Sequence, residues 1–463
     1  MKNVIALLLS VTMAFSLVAC GTSSDSTTES VTTEETTAEE TTAEETTAEE
    51  TTAEETAAST EDGTDHTLTV MCWTEEFNIY AMREAEKIYQ EEVDPDFALD
   101  IIETPWLDIQ TLMVTAATSG DYSILPDIFL LQNNAYQKNI TNYPDVFTDL
   151  TDLGFAWDEF SPAAQEYSIV DDRHYALPFD NGAAIMSIRT DVIAEAGLTI
   201  EDFTDITWDE FIELGVQVYD ATGCNMLGVT SSLGDIINIM IKTAGVSLFN
   251  DDGTVNIKDN AVLYEAFSIY MEMEEKNVLM VNNSSDETST NMSLGKTVAN
   301  INGAWAASSL ATYEDFYGTW AMTTVPRLEV EGYETVNYSE NGGSSWGISG
   351  TSDSVELAAD FLNYTFGGNA DFFDTILEGC VAISTWIPAG DSEVYAQGVE
   401  NYGGQEIYTE IVEYSSHILP VPAGVYYYDA QSTISTALSE VMMGVSIEDA
   451  LLTAHETTEF TIQ

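Results

Sequence analysis

The chain predicts an α/β fold of two lobes, each a mostly parallel sheet flanked by helices, and three observations carry that prediction. Short β-favouring runs alternate with helically spaced apolar stripes; proline and glycine punctuate the boundaries; and the stretch from His66 to Gln463, nearly 400 residues, is too long for one core. The first strand is read at Leu68 to Met71. Ile79, Met82, Ala85, Ile88 and Tyr89 then recur at helical spacing, and Leu99 to Ile102 returns to a β pattern. Thr104-Pro105 reads as an N-cap followed by proline at the first helical position; Leu107, Leu112, Met113 and Ala116 form the stripe of that helix, and Gly120 stops it. Asp127 to Leu131 is a third strand. This β-α-β-α-β order implies parallel pairing with helices on both faces, and ligands of such sheets sit beyond the carboxyl ends of the strands.

The N-terminus has a different character. Lys2 precedes an apolar run from Val4 to Val18, too short to span a bilayer, so residues 1–19 read as a secretory signal that is removed. The run closes on Leu17-Val18-Ala19-Cys20, which resembles the lipobox of bacterial lipoproteins and implies lipidation of Cys20. From Gly21 to Asp65 the chain is mostly Ser, Thr, Ala, Glu and Asp with no Lys or Arg, and Thr-Thr-Ala-Glu-Glu recurs between Thr36 and Glu55. A five-residue period suits neither helix nor strand, so residues 20–65 read as a solvated acidic tether with a reach on the order of 35 to 40 Å. The expected location is the extracellular face of the cell membrane, with the lipid as the sole membrane contact.

Formal charge is −69, from 11 basic and 80 acidic residues. Fifteen of the acids lie in the tether and one base in the signal, which leaves 65 acids against 10 bases from His66 onward. Such a body is repelled by nucleic acid and by anionic lipid, and neither is expected as a partner. Cys72, Cys224 and Cys380 are widely spaced without a C-x-x-C, and the four histidines lie far apart, so neither a disulfide framework nor a metal site is expected, and no cofactor. Buried thiols are the reading, with one long-range disulfide as the alternative.

The first strand runs into Trp73, Thr74, Glu75 and Glu76, and the third into Gln132, Asn133 and Asn134. Aromatic rings that stack on C–H faces, beside amides that both donate and accept, make a carbohydrate-like inventory. Downstream, Tyr175-Ala176-Leu177-Pro178-Phe179-Asp180-Asn181-Gly182 precedes Arg189-Thr190-Asp191-Val192-Ile193-Ala194-Glu195-Ala196-Gly197-Leu198 and Thr207-Trp208-Asp209-Glu210-Phe211. The segments Gly295 to Trp305 and Asn341 to Trp346 follow in the same order. This succession resembles the family 1 extracellular solute-binding proteins of ABC importers, which include the maltose- and oligosaccharide-binding proteins.

The resemblance implies a two-lobed periplasmic-binding-protein-like fold of type II. It places crossings between lobes near Gly182, Pro326 and Gly350, giving 66–182 plus 327–350 as one lobe and 183–326 plus 351–463 as the other. It also implies sugar contacts from Asp180 and Asn181 and stacking on Trp305, and it draws in Gly343, Ser344 and Trp346 from the later return strand. Ser231 and Trp386 join the candidates by position alone. Function is then expected to be capture of a carbohydrate by lobe closure and delivery, unaltered, to a permease driven by a separate ATPase, with the binding protein a monomer. An anchored glycan hydrolase and a binder of a non-sugar such as a polyamine are the alternatives. Gly343-Ser344-Ser345-Trp346-Gly347 fits the G-x-S-x-G pattern, but a nucleophile elbow must pass from strand into helix, and Gly347 to Gly350 reads as strand or loop. Gly295-Lys296-Thr297 lacks the glycine of a phosphate loop at Thr290, and the turn at Asn250 has Val255 where a calcium loop needs glycine.

Overall fold

A computed structural model describes residues 66–230, 234–250, 252–421 and 424–462. The signal, Cys20, the tether and Ser231 lie outside the described residues. The first sheet has the order Ala98–Glu103, Thr67–Cys72, Ile128–Gln132, Ser344–Ile348, Leu177–Pro178. The second has the order Trp320–Thr323, Ala184–Arg189, Thr297–Gly303, Asn225–Thr230, Leu279–Asn282.

The three opening strands pair in parallel, Val70 standing beside both Ile101 and Ile128. Each sheet is nevertheless parallel on one side only. The antiparallel neighbours are Leu177–Pro178 and Ser344–Ile348 in the first sheet, and Ala184–Arg189 and Trp320–Thr323 in the second. All four flank a passage from one sheet to the other, where no crossover helix intervenes to restore direction. Strand alternation sends Leu68, Val70 and Cys72 to one face and Met71 to the other, and both faces are covered.

Helix Tyr80–Glu92 buries Ala81, Met82, Ala85 and Tyr89, and a wide turn over Glu75–Ile79 precedes it. The second helix begins one residue later than expected, at Trp106, because Pro105 keeps an extended ψ of 140° and is itself the N-cap. The Thr104 hydroxyl donates to the Ile102 carbonyl instead. Gly120 ends this helix with φ at +72°. Farther on, Thr207 and Glu210 close a capping box at the start of Trp208–Thr222.

The C-terminal stretch divides differently from the expected boundary at Gly350. Helices Val355–Tyr364 and Ala370–Cys380 send Phe361, Leu362, Phe372 and Ile376 into the core of the first sheet, with Leu68, Phe97 and Trp346. Helices Tyr427–Met442 and Ile447–Thr461 bury Ala430, Ile434, Leu438 and Leu451 against the second. The third passage therefore falls after Ala370–Cys380. Apolar matching decides this: Phe361 lies stacked at 5.0 Å on Phe97 and edge-on at 5.4 Å to Tyr89.

Cys72, Cys224 and Cys380 are free thiols, and among the described residues no cluster of metal-ligating side chains forms. No described helix is long and apolar enough to cross a membrane.

Phe361→Ala deletes a fully buried ring from the first-sheet core. The expected cost is about 3 to 5 kcal/mol. Urea denaturation followed by circular dichroism measures it, and a loss below 1 kcal/mol would contradict the packing described for Val355–Tyr364.

Candidate functional site

A cleft of about 1160 Å³ opens between the carboxyl ends of the two sheets. Its first wall follows from the opening strands. Thr67–Cys72 runs into Trp73, Glu75 and Glu76; the Asn78 side-chain oxygen accepts the N–H groups of Trp73 and Thr74 at 3.0 and 3.2 Å and holds this turn. Glu103 and Trp106 come from the next strand and helix, Gln132 from the end of the third strand and Asn134 from the turn after it. The second wall carries Thr230, Asn300, Asn302, Trp305 and Tyr313. Helix Tyr427–Met442 adds Tyr427, Tyr428 and Gln431, and Asp180 with Asn341 to Ser344 forms the floor.

Trp305 sits where it does because two glycines admit it. A Cβ on Gly303 would stand 2.4 Å from its Nε1, and one on Gly342 3.0 Å from the same atom. The indole N–H donates to the Asn341 carbonyl at 3.2 Å, which ties the ring to the floor. On the floor, Ser344 donates its N–H to Asp180 Oδ1 at 2.7 Å. Burial pushes the Asp180 carboxyl up to about 7, against the opposing pull of its bonds to Ser344.

Trp73, Glu75, Asn134, Asp180, Trp305, Gly343 and Ser344 thus line one cavity although they span most of the described chain. Four other candidates lie outside this lining. Asn133 is buried and accepts from the Ser345 hydroxyl at 2.8 Å, because the residue after the strand turns inward before Asn134 turns out. Asn181 accepts the Ala183 N–H at 2.9 Å and shapes the passage between sheets. Trp346 is fully buried mid-strand against Phe179 and Phe366. Trp386 is buried face to face with Phe373 at 5.4 Å and donates to Glu159. Ser345 of the G-x-S-x-G run is wholly buried inside Ser344–Ile348, so that pattern is strand and not elbow.

Sequence reasoning missed Trp106, Tyr427 and Tyr428. Trp106 and Tyr428 meet across the cleft at 5.0 Å between ring centroids, and the Tyr428 hydroxyl bonds the Gln132 side chain. Beside them Lys138 pairs with Asp429 at 2.5 Å, 33% and 18% exposed. The run Tyr426-Tyr427-Tyr428 was the available signal.

Residues 76–367 match the family described as bacterial extracellular solute-binding protein. The chain belongs to that family. Its members bind solutes and are not enzymes. This solute-binding protein is 28% identical over 384 residues to the lactose-binding protein of Rhizobium radiobacter, covering 83% of this chain and 90% of that one. Its fold is similar to that of the ABC transporter associated binding protein from B. animalis subsp. lactis in complex with β-1,6-galactobiose. That match has a TM-score of 0.72 and 17% identity and covers 84% and 96% of the two chains. It is also similar to maltose-bound MalE3 of T. maritima, with a TM-score of 0.70, 17% identity and coverage of 85% and 99%. The two-lobed arrangement predicted from the sequence is therefore that of known binding proteins.

The Asp180 carboxyl carries a pH signature. In the unfolded chain it ionises near the usual value of about 3.9, so from there up to about 7 the native state holds the extra proton. Native stability therefore falls as pH rises through this window and is level above it. Asp180→Asn keeps an oxygen for the Ser344 N–H without the charge. Its melting temperature should gain on the wild type between pH 4 and pH 7 and stay parallel beyond, read by ligand-free thermal denaturation; a constant offset throughout would refute the assignment.

Proposed function

We propose that this solute-binding protein captures an oligosaccharide in the cleft between its lobes and hands it unaltered to an ABC permease. One observation carries the reading: a single cavity of about 1160 Å³ is lined by Trp73, Trp106, Trp305, Tyr313, Tyr427 and Tyr428 with asparagine, glutamine and serine between them. Ligand pockets commonly hold about 300 to 1,000 Å³, so the space suits more than one sugar ring. Rings serve the C–H faces and amides the hydroxyls. The names of the relatives, a lactose binder and structures holding galactobiose and maltose, support the same class.

Lobe closure is the means of capture. Contacts already join the walls at Lys138–Asp429, Gln132–Tyr428 and Trp106–Tyr428. A ligand favours the closed form only by binding it more tightly than the open one, which requires groups from both walls. The chain is a monomer in this reading, residues 1–19 are removed, Cys20 carries the lipid, and residues 20–65 give the lobes their reach on the outer face of the membrane. A separate ATPase supplies the energy of transport. The lobes are taken as meeting through three passages, near Gly182, over residues 324–343 and after Cys380.

A thermal-shift screen of mono- and oligosaccharides against polyamines should show stabilisation by a saccharide. Calorimetry of Trp305→Ala should then show affinity for that saccharide reduced by about thirtyfold or more, with the far-ultraviolet spectrum unchanged. Unaltered affinity, or stabilisation by polyamines alone, would count against this function. Cys20→Ser should release the protein from the membrane fraction of its cells; retention would count against the anchor.

A further inference from the structure

The ionisable groups of the cleft have one sign. Glu75, Glu76, Glu103, Asp180, Asp235 and Asp286 line it, and among the described residues no lysine, arginine or histidine does. Each nearby cation already has a carboxylate partner: Arg83 holds the lining Glu75, and the two lysines hold acids outside the lining. Arg83 pairs with Glu75, Lys138 with Asp429, and Lys242 is buried against Glu340 at 3.1 Å behind the Tyr427 ring.

Helix N-termini are the other common source of positive potential for an anion. Six helical segments begin with a residue that lines the cleft, at Glu75, Trp106, Asp235, Ser285, Ala306 and Tyr427. Five of them carry their own carboxylate in the first turn: Glu75 and Glu76, Asp108, Asp235, Asp286 and Asp429. The exception, Ala306–Ala311, is six residues long. The positive ends of those five are thus answered from within the chain.

We infer that the cleft selects by charge: it accepts neutral saccharides and rejects those bearing a carboxylate, and Glu76, Glu103 and Asp286 are specificity-determining residues on its rim. This rests on the oligosaccharide reading and sharpens it. A uronic acid needs a guanidinium, an ammonium or an unanswered helix end as partner, and the lining offers instead further carboxylates at close range. Two lining acids point the same way, since burial pushes the carboxyls of Asp180 on the floor and Asp235 at a helix start upward. A site that resists ionising its own acids resists an incoming one.

The test uses lactose, maltotriose and β-1,6-galactobiose, each beside its C6-oxidised uronic acid and the corresponding uronamide, in titration calorimetry on the full chain. The uronamide matches the acid in shape without charge. The expected result is that at least one neutral sugar and its uronamide bind, with the acid weaker by on the order of a hundredfold. That ratio should narrow about tenfold in 0.5 M salt and in Glu76→Gln/Glu103→Gln/Asp286→Asn, all three exposed on the rim. An acid bound within tenfold of its parent overturns the inference and leaves the oligosaccharide reading intact. A uronamide as weak as the acid, or a ratio indifferent to salt and to the triple variant, overturns it in favour of steric exclusion. Failure of every sugar in the panel, neutral or acidic, refutes this inference, and the thermal-shift screen then decides the oligosaccharide reading separately.

Discussion

The cleft depends on one close approach of backbone to backbone. Gly182, leaving the first sheet, lies against Gly342, returning to it: a Cβ at Gly182 would stand 2.8 Å from the Gly342 carbonyl carbon and oxygen. The Asn341 N–H donates to the Gly182 carbonyl at 2.7 Å, and the Ala304 N–H to the Ala183 carbonyl at 2.8 Å. A third segment joins them, with Asn181 donating to Ile383 at 3.2 Å and Asp180 bridged to Ser384. Three passages and the end of a second-sheet strand therefore meet within a few ångströms. This meeting puts Asp180 and Ser344 on one floor and Trp305 against it, because each is at most two residues from Gly182, Gly342 or Ala304 along the chain.

The same meeting point couples the floor to the lobes. Ser344 lines the cleft and donates to a carboxylate that belongs to the passage. A group that competes for Asp180 acts on the hinge as well as on the site. The rim contacts differ in kind. Lys138–Asp429 is partly exposed, and an ion pair open to water contributes little, typically below about 1 kcal/mol. Under the proposed closure, such contacts orient the lobes and leave the balance between open and closed forms to whatever fills the cavity between them. In that sense the aromatic lining is the larger lever, since a ring held by both walls buries apolar surface only on closure.

How far the sequence could be read followed from how local each signal was. The opening strands, the helix Tyr80–Glu92 and the stop at Gly120 rest on periodicity and caps within a dozen residues, and they are where the pattern puts them. The antiparallel half of each sheet was not legible, because pairing of Ser344–Ile348 with Ile128–Gln132 is a contact over two hundred residues apart that no local pattern encodes. The same holds for Val355–Tyr364: its apolar stripe fits either lobe, and only the match with Phe97 and Tyr89 decides. Among site candidates, strand ends were informative and tryptophan as a residue type was not. Trp305 follows a strand and reaches the cleft, whereas Trp346 lies within one and is enclosed by Phe179 and Phe366. Trp106 and Tyr428 were hidden because each lies at the first turn of a helix whose approach to the opposite wall is tertiary.

Acidity of the whole chain and acidity of the cleft are separate facts with separate causes. A formal charge of −69 belongs to the whole chain, with fifteen of its acids in residues 21–65, and speaks to solubility. It does not require that carboxylates occupy helix first turns around a binding cavity, nor that nearby cations be withdrawn. Lys242 illustrates the second point. It is buried, and although burial opposes its charge, Glu340, Tyr427 and Tyr167 outweigh that and hold the ammonium protonated. Its charge is thereby spent on Glu340, which pairs with Ala183 at the meeting of the passages. Lys242, which stands against the Tyr427 ring, thus serves the passages, and the described lining keeps aromatic faces and amides as its attractive groups.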